Sequence, residues 1–345
     1  MARKTRSQSL ADAQLICTLH NATHPEAPWV VPDGTRWQII FRCNSRWEAF
    51  ASPERRQMSQ DYLADLVRCS WVKVAGFAIM NNHVHLVLLL HSAAELAERL
   101  DQHSVFALQL AMLRRLNALK LHRVDEEVLQ QQAFNLVTDL QKRSAQELQD
   151  WRQHIGQRLA GMDSFMKDFK QGLVIRIKDE ETARDPHHKT PNGSPFTSSY
   201  ASYPIGGDEH LLRELAYVDA NLQAGKVEDF PGQELGSSLA LRVRGEKGVP
   251  LVPLADLVPG LEVDLYEALV VEVCLLERGK AGRLHAQAVP EGKRLAAFAG
   301  DAKACCARAL VMMEAWVKRL RQDRRLGARC SRRAWEQVWE ARLAG

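Results

Sequence analysis

The sequence predicts a fold in which a small β-sheet is combined with many helices. Three short apolar runs have the length and composition of strands, and the second and third are separated by an Asn-Asn dipeptide, which favours a tight hairpin. Longer stretches between and after these runs carry apolar residues at helical spacing. With 345 residues, 46% of them hydrophobic, the chain can bury a substantial core and can form more than one domain.

The predicted elements follow from apolar periodicity and from the positions of proline, glycine and asparagine. Strands are expected at 37–43, 71–80 and 84–90, and helices at 52–67, 93–121, 125–159, 162–171, 208–224 and in two or three stretches after 263. The first of these helices begins with Ser52-Pro53, a typical helix N-terminus. Prolines predict an arm or loop at 1–35 and a linker at 232–262, and the polar tract at about 122–160 predicts a helical insertion.

The positive charge of the chain is concentrated at its C-terminal end. The net charge of +4 permits nucleic-acid binding without requiring it. From residue 303 to the end there are eleven Lys or Arg against four Asp or Glu, so the helical region at 263–345 is a candidate for contact with a polyanion. The candidate DNA-contacting side chains are Arg319 and Arg325 in this region, and Lys167 and Lys170 on the helix at 162–171.

The cysteines and the hydropathy pattern predict a cytoplasmic protein. Seven cysteines, an odd number without a Cys-x-x-Cys pair, fit neither a disulfide framework nor a zinc cluster, so reduced thiols are expected. The basic N-terminus lacks the continuous apolar stretch of a signal peptide. No apolar run approaches the roughly 18 residues that a membrane-spanning helix needs, so no membrane span is expected.

Two histidines interrupt the third apolar run. His83 and His85 are two residues apart, so in a strand their side chains project from one face while Val84 and Leu86 point into the core. Two neutral imidazoles side by side can chelate a divalent cation. For an arbitrary His-x-His the commoner outcome is a half-buried strand with two hydrogen-bonded histidines.

A second pair of polar side chains lies on the helix at 208–224. Tyr217 and Asn221 are four residues apart and therefore share one face of that helix, one turn from each other. A phenol and a carboxamide in this arrangement can present a nucleophile and a third metal ligand together. By spacing alone, the commoner interpretation is a tyrosine at the edge of the core.

The two motifs together resemble one known family. Met80-Asn-Asn-His-Val-His-Leu86 resembles the Met-x-Asn-His-hydrophobic-His-Leu segment of the REP-associated tyrosine transposases, within the HUH single-strand endonuclease superfamily. The segment from Leu211 to Asn221 resembles their catalytic helix, in which the nucleophilic Tyr precedes an Asn by four residues. The likeness covers about residues 36–231. It departs from the family pattern at 199–202 and 222–225, where the relatives carry basic residues and this chain does not.

The resemblance implies an α+β fold: a ferredoxin-like HUH domain at 36–231 with a small antiparallel sheet and a helical insertion, followed by a mostly helical C-terminal region. It also implies one Mg²⁺ or Mn²⁺ held by His83, His85 and Asn221, and in-line attack by Tyr217 on a phosphate of single-stranded DNA, such as a hairpin repeat. The resulting 5′-phosphotyrosine intermediate would support nicking and strand transfer without ATP, in a monomer or homodimer.

Two other functions are compatible with parts of the sequence. Amidohydrolase-type metal hydrolases also place His-x-His on a strand, but they need further His and Asp residues at later strand ends. The remaining candidates here lie in loop-like or helical contexts: His187, His188, His210 and His285. A transposase-derived protein that binds DNA through its basic C-terminal helices without cutting it is the stronger alternative. A covalent protein–DNA adduct would distinguish the nicking enzyme from that binding protein.

Overall fold

The computed structural model describes residues 6–23, 31–44, 47–185 and 195–270, apart from 198, 225–226, 228–231, 233–235, 259, 265 and 268. The candidate DNA-contacting residues Arg319 and Arg325 lie outside the described residues, as does most of the basic region at 263–345. His187, His188 and His285 lie outside them as well.

The described elements alternate between strands and helices before a long helical stretch. In chain order they are α1 (Arg6–Thr23), β1 (Arg36–Arg42), α2 (Pro53–Arg68), β2 (Lys73–Ile79), β3 (His83–Leu89), α3 (Ala93–Gln102), α4 (Val105–Ala118), α5 (Glu126–Leu140), α6 (Ala145–Ala160), α7 (Met162–Arg184), β4 (Ala201–Pro204), α8 (Gly207–Ala224), α9 (Ser238–Arg244) and α10 (Leu254–Leu257). The three predicted strands and the α2 and α8 helices are confirmed.

The four strands form one antiparallel sheet in the order β2-β3-β1-β4. The predicted hairpin between β2 and β3 is confirmed, with Met80 N donating to His83 O at 2.8 Å across the Asn81-Asn82 turn. With α2 between β1 and β2, and α7 before β4, the chain follows the β-α-β-β-α-β order of a ferredoxin-like fold. The predicted α+β class is therefore confirmed.

The two faces of the sheet are covered by different helices. On one face Val84, Leu86 and Leu88 of β3 belong to a buried cluster with residues of α2 and α7. On the other face Val87 lies in a second buried cluster, to which α8, α9 and α10 contribute. Because alternate residues of a strand project to opposite faces, His83 and His85 lie on the α8 face.

The helices between β3 and β4 are tied to the core by a buried carboxylate. Arg115 of α4 is 0% exposed, and its Nε donates to Asp168 Oδ2 on α7 at 2.8 Å. Arg158 of α6 donates to the other carboxylate oxygen at 2.8 Å. Tyr62 of α2 donates to the backbone carbonyl of Asp168. Asp168 thus connects the predicted helical insertion, which contains α5 and α6, to the helices that cover the sheet.

Several elements differ from the sequence-based expectation. Residues 6–23, expected as arm or loop, form α1, and the helix expected at 93–121 is two helices. Ser104 separates them, because its Oγ accepts from Ala107 N at 3.1 Å and so caps a new helix. Helix α7 continues to Arg184, beyond the helix expected at 162–171, and the short strand β4 is not among the expected strands.

Residues within the predicted linker at 232–262 pack on the sheet. The backbone at Leu251 forms a parallel bridge with Val74, and Ser237 forms an antiparallel bridge with Ala78. Leu239 and Leu257, on α9 and α10, are buried in the cluster on the α8 face. Helices in the described part of the chain include none that is long and apolar enough to cross a membrane.

Candidate active site

The two histidines of β3 lie side by side at one end of the sheet. Their ring centroids are 4.9 Å apart. His85 is flanked in register by Ala78 on β2 and by Ile40 on β1, and His83 pairs with Arg42 at the end of β1. The expected common face for the two imidazoles is therefore present.

A hydrogen bond from the preceding residue orients His83. Its Nδ1 lies 2.7 Å from Asn82 Oδ1. Because an amide oxygen only accepts, this contact places the proton on Nδ1 and leaves the Nε2 lone pair free to bind a cation. Burial and the nearby Arg42 lower the pKa of His83 from 6.5 to about 4, so the ring is neutral at pH 7. A neutral imidazole with a second partner on its other nitrogen is the usual state of a metal-ligating histidine.

His85 is the buried member of the pair. It is 2% exposed, and neither of its ring nitrogens has a hydrogen-bond partner. Burial, with contributions from His83 and Arg42, lowers the pKa of His85 from 6.5 to about 3. A buried polar atom without a partner costs about 1–3 kcal/mol, a cost that a bound cation would offset. This corrects the alternative of two hydrogen-bonded core histidines, since His85 makes no hydrogen bond.

Helix α8 is held close to the sheet because β2 carries a glycine beneath it. A Cβ at Gly76 would lie 2.7 Å from Leu215 Cδ2 and 3.2 Å from Ser238 Oγ. A larger residue at this position would require the side chains of Leu215 and Ser238 to move. At the helix N-terminus, Arg36 of β1 forms an ion pair with Asp208 at 2.6 Å. These contacts fix the height of α8 above the two histidines.

Tyr217 lies over His85. The two ring centroids are 5.9 Å apart with an interplanar angle of 78°, an edge-to-face contact, and Tyr217 is half-buried. Asn221 follows one turn later, and its Nδ2 donates to the Tyr217 carbonyl at 2.7 Å, which leaves its Oδ1 as an acceptor. The structure thus brings the predicted nucleophile next to the predicted metal ligands, although the two motifs are far apart in sequence.

Residues on the other side of α8 fix its rotation. Asp219 is fully buried, and its Oδ1 accepts from Ser238 Oγ at 2.7 Å and from Leu239 N at 3.0 Å. Its Oδ2 accepts from the Tyr266 hydroxyl. We call Asp219, Ser238 and Tyr266 the Asp219 cluster. Two residues along a helix differ by about 200° in direction, so anchoring Asp219 turns Tyr217 to the opposite side.

The predicted cation site consists of nitrogen ligands from β3 and an amide oxygen from α8. Among the described residues no group of three His, Cys, Asp or Glu side chains is close enough to hold a metal. The ligand set predicted from the sequence combines two imidazoles with an amide oxygen, and it stays a prediction: His83, His85 and Asn221. The two partnerless nitrogens of His85 are the observation that favours a ligand there.

Arg42 is a candidate that the sequence alone did not reveal. Opposite residues of an antiparallel pair project from the same face, so Arg42 is on the face of its register partner His83. The side chain is exposed, and its positive charge lowers the pKa values of both histidines. A guanidinium in this position suits a phosphate bound over the imidazoles. The proximity of Arg42 to His83 follows from the register of β1 against β3, which the sequence does not reveal.

The two predicted DNA-contacting lysines approach from the other face of the sheet. Lys167 and Lys170 lie on α7, which packs against the Val84 side of β3. Lys167 is exposed, whereas Lys170 donates to the Thr197 carbonyl. Thr197 in turn donates to the Arg42 carbonyl at 2.9 Å. Lys170 therefore reaches the His83 end of the sheet, and the structure does not bring Lys167 to the histidines.

Replacing Asn82 by alanine is expected to weaken Mn²⁺ binding by about 10- to 100-fold, because His83 would lose the partner that fixes its tautomer and ring orientation. Isothermal titration calorimetry measures the affinity. Asn81→Ala is the matched control, since the Asn81 contact is its backbone carbonyl, which accepts from Phe50 N and survives the substitution. Equal affinities for the wild type and both variants would show that Asn82 does not orient His83 for metal binding.

Acid is expected to destabilise the metal-free protein through His85. Burial lowers its pKa to about 3 in the folded chain from the ordinary 6.5, so between these values the unfolded chain binds the extra proton. The contribution of the neutral His85 ring to the free energy of unfolding is complete above pH 6.5. It is lost as the pH falls towards 3, by about 3 kcal/mol at pH 4. Urea unfolding in EDTA at pH 7 and pH 4 should show this loss in the wild type and a smaller one in His85→Leu. An unchanged pH dependence would contradict the assignment.

A solved structure shows a weak overall likeness to this chain. A solved structure described as "Structure of the REP associates tyrosine transposase bound to a REP hairpin" aligns over 66% of this chain and 90% of that chain. The sequence identity is 8% and the TM-score is 0.35. At this TM-score the likeness carries no argument about activity. No family model matches the chain. No curated protein matches it significantly either.

Proposed function

We propose that this protein is a metal-dependent single-strand DNA endonuclease and strand transferase that uses Tyr217 as its nucleophile. The observation that carries the proposal is the contact between Tyr217 and His85, with ring centroids 5.9 Å apart. The resemblance of both motifs to the REP-associated tyrosine transposases adds support. A packing role for Tyr217 at the edge of the core would not explain why two neutral histidines lie side by side next to it. Nor would it explain why one of them, His85, is buried without a hydrogen-bond partner.

The chain's own residues account for binding and orientation of the phosphate. His83, His85 and the Asn221 amide oxygen would hold Mg²⁺ or Mn²⁺, which supplies Lewis-acid polarisation of a phosphate oxygen when bound. The Asn82 amide keeps the His83 ring in the ligand-ready tautomer. The exposed guanidinium of Arg42 provides a second positive group for the charge that develops on the phosphate oxygens.

Tyr217 carries out the displacement. Its oxygen forms a bond to phosphorus as the bond from phosphorus to the 3′ oxygen breaks, the phenol gives up its proton, and the departing 3′ oxygen takes one up. The product is a 5′-phosphotyrosine and a free 3′-hydroxyl. Attack by a 3′-hydroxyl on the phosphotyrosine reverses the step, so the strand is resealed or transferred with no ATP consumed.

A covalent-adduct assay tests the proposal. Single-stranded oligonucleotides that carry the native flanking sequence of the gene, incubated with Mn²⁺, should give a protein–DNA adduct that survives denaturing electrophoresis. The adduct should disappear with EDTA and in Tyr217→Phe, and it should persist in the control Tyr203→Phe, whose tyrosine is exposed on β4. Absence of an adduct with wild-type protein across such substrates would favour the binding protein that does not cut DNA.

A further inference from the structure

A second basic site lies at the opposite end of the sheet from the histidines. A cleft of about 250 Å³ is formed by the start of β2, the residues that lead into α3, and residues 250–252. Its polar and charged lining comprises Ser70, Lys73, His91 and Arg99, and Trp71 is among its apolar walls. Lys73 pairs with Leu89 at the far end of β3, six residues or about 20 Å from His83.

Three basic side chains converge on this cleft. Burial, together with the positive charges of Arg99 and Lys73, lowers the pKa of His91. The Arg99 guanidinium stacks on Trp71, with its Cζ 4.9 Å from the ring centroid, and its Nε is buried without a hydrogen-bond acceptor. Lys73 is exposed at the mouth of the cleft. The lining therefore presents hydrogen-bond donors and positive charge together.

One acid close to these groups, Glu95, also takes part in a helix cap. Glu95 lies close enough to influence His91, but its Oε2 accepts from Ser92 N at 2.7 Å in the capping box of α3. Within the part of the chain that the structure describes, neither Lys73 nor Arg99 forms an ion pair. The Glu95 carboxylate acts electrostatically on His91 and Lys73 and offsets part of the positive charge, and a bound anion would offset the remainder.

We infer that the cleft formed by Lys73, His91 and Arg99 binds a phosphate group. The planar fork of an arginine and the ammonium of a lysine are the usual donors to phosphate oxygens. The phosphate belongs either to the backbone of a nucleic acid or to a free phosphate compound. This inference does not depend on the nicking activity, because it concerns residues that do not contact the histidines of β3.

Two probes distinguish the sources: inorganic phosphate and a single-stranded oligonucleotide. Titration of the full chain with either is followed through the imidazole NMR signals of His91, which are identified by their loss in His91→Gln. A saturable shift is expected with at least one probe. Lys73→Gln and Arg99→Gln should each weaken that binding by at least about tenfold. If DNA is the ligand, each should also reduce the slope of log affinity against log salt concentration by about one, the value for one lost phosphate contact.

Lys142→Gln is the matched control, because Lys142 is exposed and lies on the turn after α5, paired with Asp139. It should bind both probes as the wild type does. A response to phosphate alone assigns the cleft to a free phosphate compound, and a response to the oligonucleotide assigns it to a nucleic-acid backbone. The inference is overturned if His91 responds to neither probe, or if Lys73→Gln and Arg99→Gln bind as tightly as Lys142→Gln.

Discussion

Replacing Asp219 by alanine is expected to lower the free energy of unfolding by about 3–5 kcal/mol. The substitution removes the acceptor of three hydrogen bonds. It leaves the Leu239 N–H and the Tyr266 hydroxyl buried without a partner, and leaves Ser238 Oγ with only the longer hydrogen bond to Phe77 O at 3.5 Å. It also removes the negative charge beside Arg242, a residue that Asp219 and Tyr266 influence electrostatically. Urea unfolding followed by circular dichroism measures the change.

The control for Asp219 is Asp256→Ala, because Asp256 is exposed on α10 and its removal should cost less than about 0.5 kcal/mol. Asp219→Asn keeps an oxygen acceptor at the same position and should lose less stability than Asp219→Ala. If Asp219→Ala were as stable as Asp256→Ala, the Asp219 cluster would not anchor α8. In the adduct assay, Asp219→Ala should also lose activity, since Tyr217 would no longer be held over His85.

Replacing Asp168 by alanine is expected to cost a similar amount, about 3–5 kcal/mol, for a different reason. Arg115 is 0% exposed and would become a buried cation with no counter-charge, and Arg158 would lose the same partner. Burial already lowers the pKa of Arg115, and the Asp168 carboxylate is what favours its charged form. The loss should appear as a lower urea midpoint.

The matched control for Asp168 is Asp139→Ala. Asp139 also forms an ion pair, with Lys142 at 2.8 Å, but both side chains are more than two-thirds exposed. Exposed pairs contribute between roughly 0 and 1 kcal/mol, so this substitution should be nearly neutral. Similar losses for the two variants would mean that Asp168 does not carry the connection between α4, α6 and α7.

Local patterns in the sequence predicted the parts of the fold that depend on short-range chemistry. The spacing of His83 and His85 fixed their common face, and Ser52-Pro53 fixed the start of α2, where Ser52 Oγ accepts from Arg55 N. Periodicity located α8 and put Tyr217 and Asn221 one turn apart. Each of these predictions rests on residues within a few positions of one another.

Features that depend on pairing between distant segments could not be predicted in the same way. Strand β4 is four residues long and ends in Pro204, so its pattern is too short to distinguish from a loop. Arg42 lies beside His83 only because of the register of β1 against β3. Prolines predicted a linker at 232–262, although these residues supply Ser238 to the Asp219 cluster. The residue roles assigned to His83, His85, Asn221 and Tyr217 stay predictions until the assays are done.

The backbone bonds between β2 and residues 236–252 have a consequence for aggregation. Ile79 N donates to Gly236 O at 2.7 Å, and Val252 N donates to Val74 O at 3.0 Å, so this segment covers the outer edge of an apolar strand. An uncovered edge strand is a template for pairing with other chains. A shortened protein that ends near residue 231, at the limit of the family resemblance, would expose that edge and would be expected to precipitate or form fibrils. Expression fragments should therefore include residues 236–252.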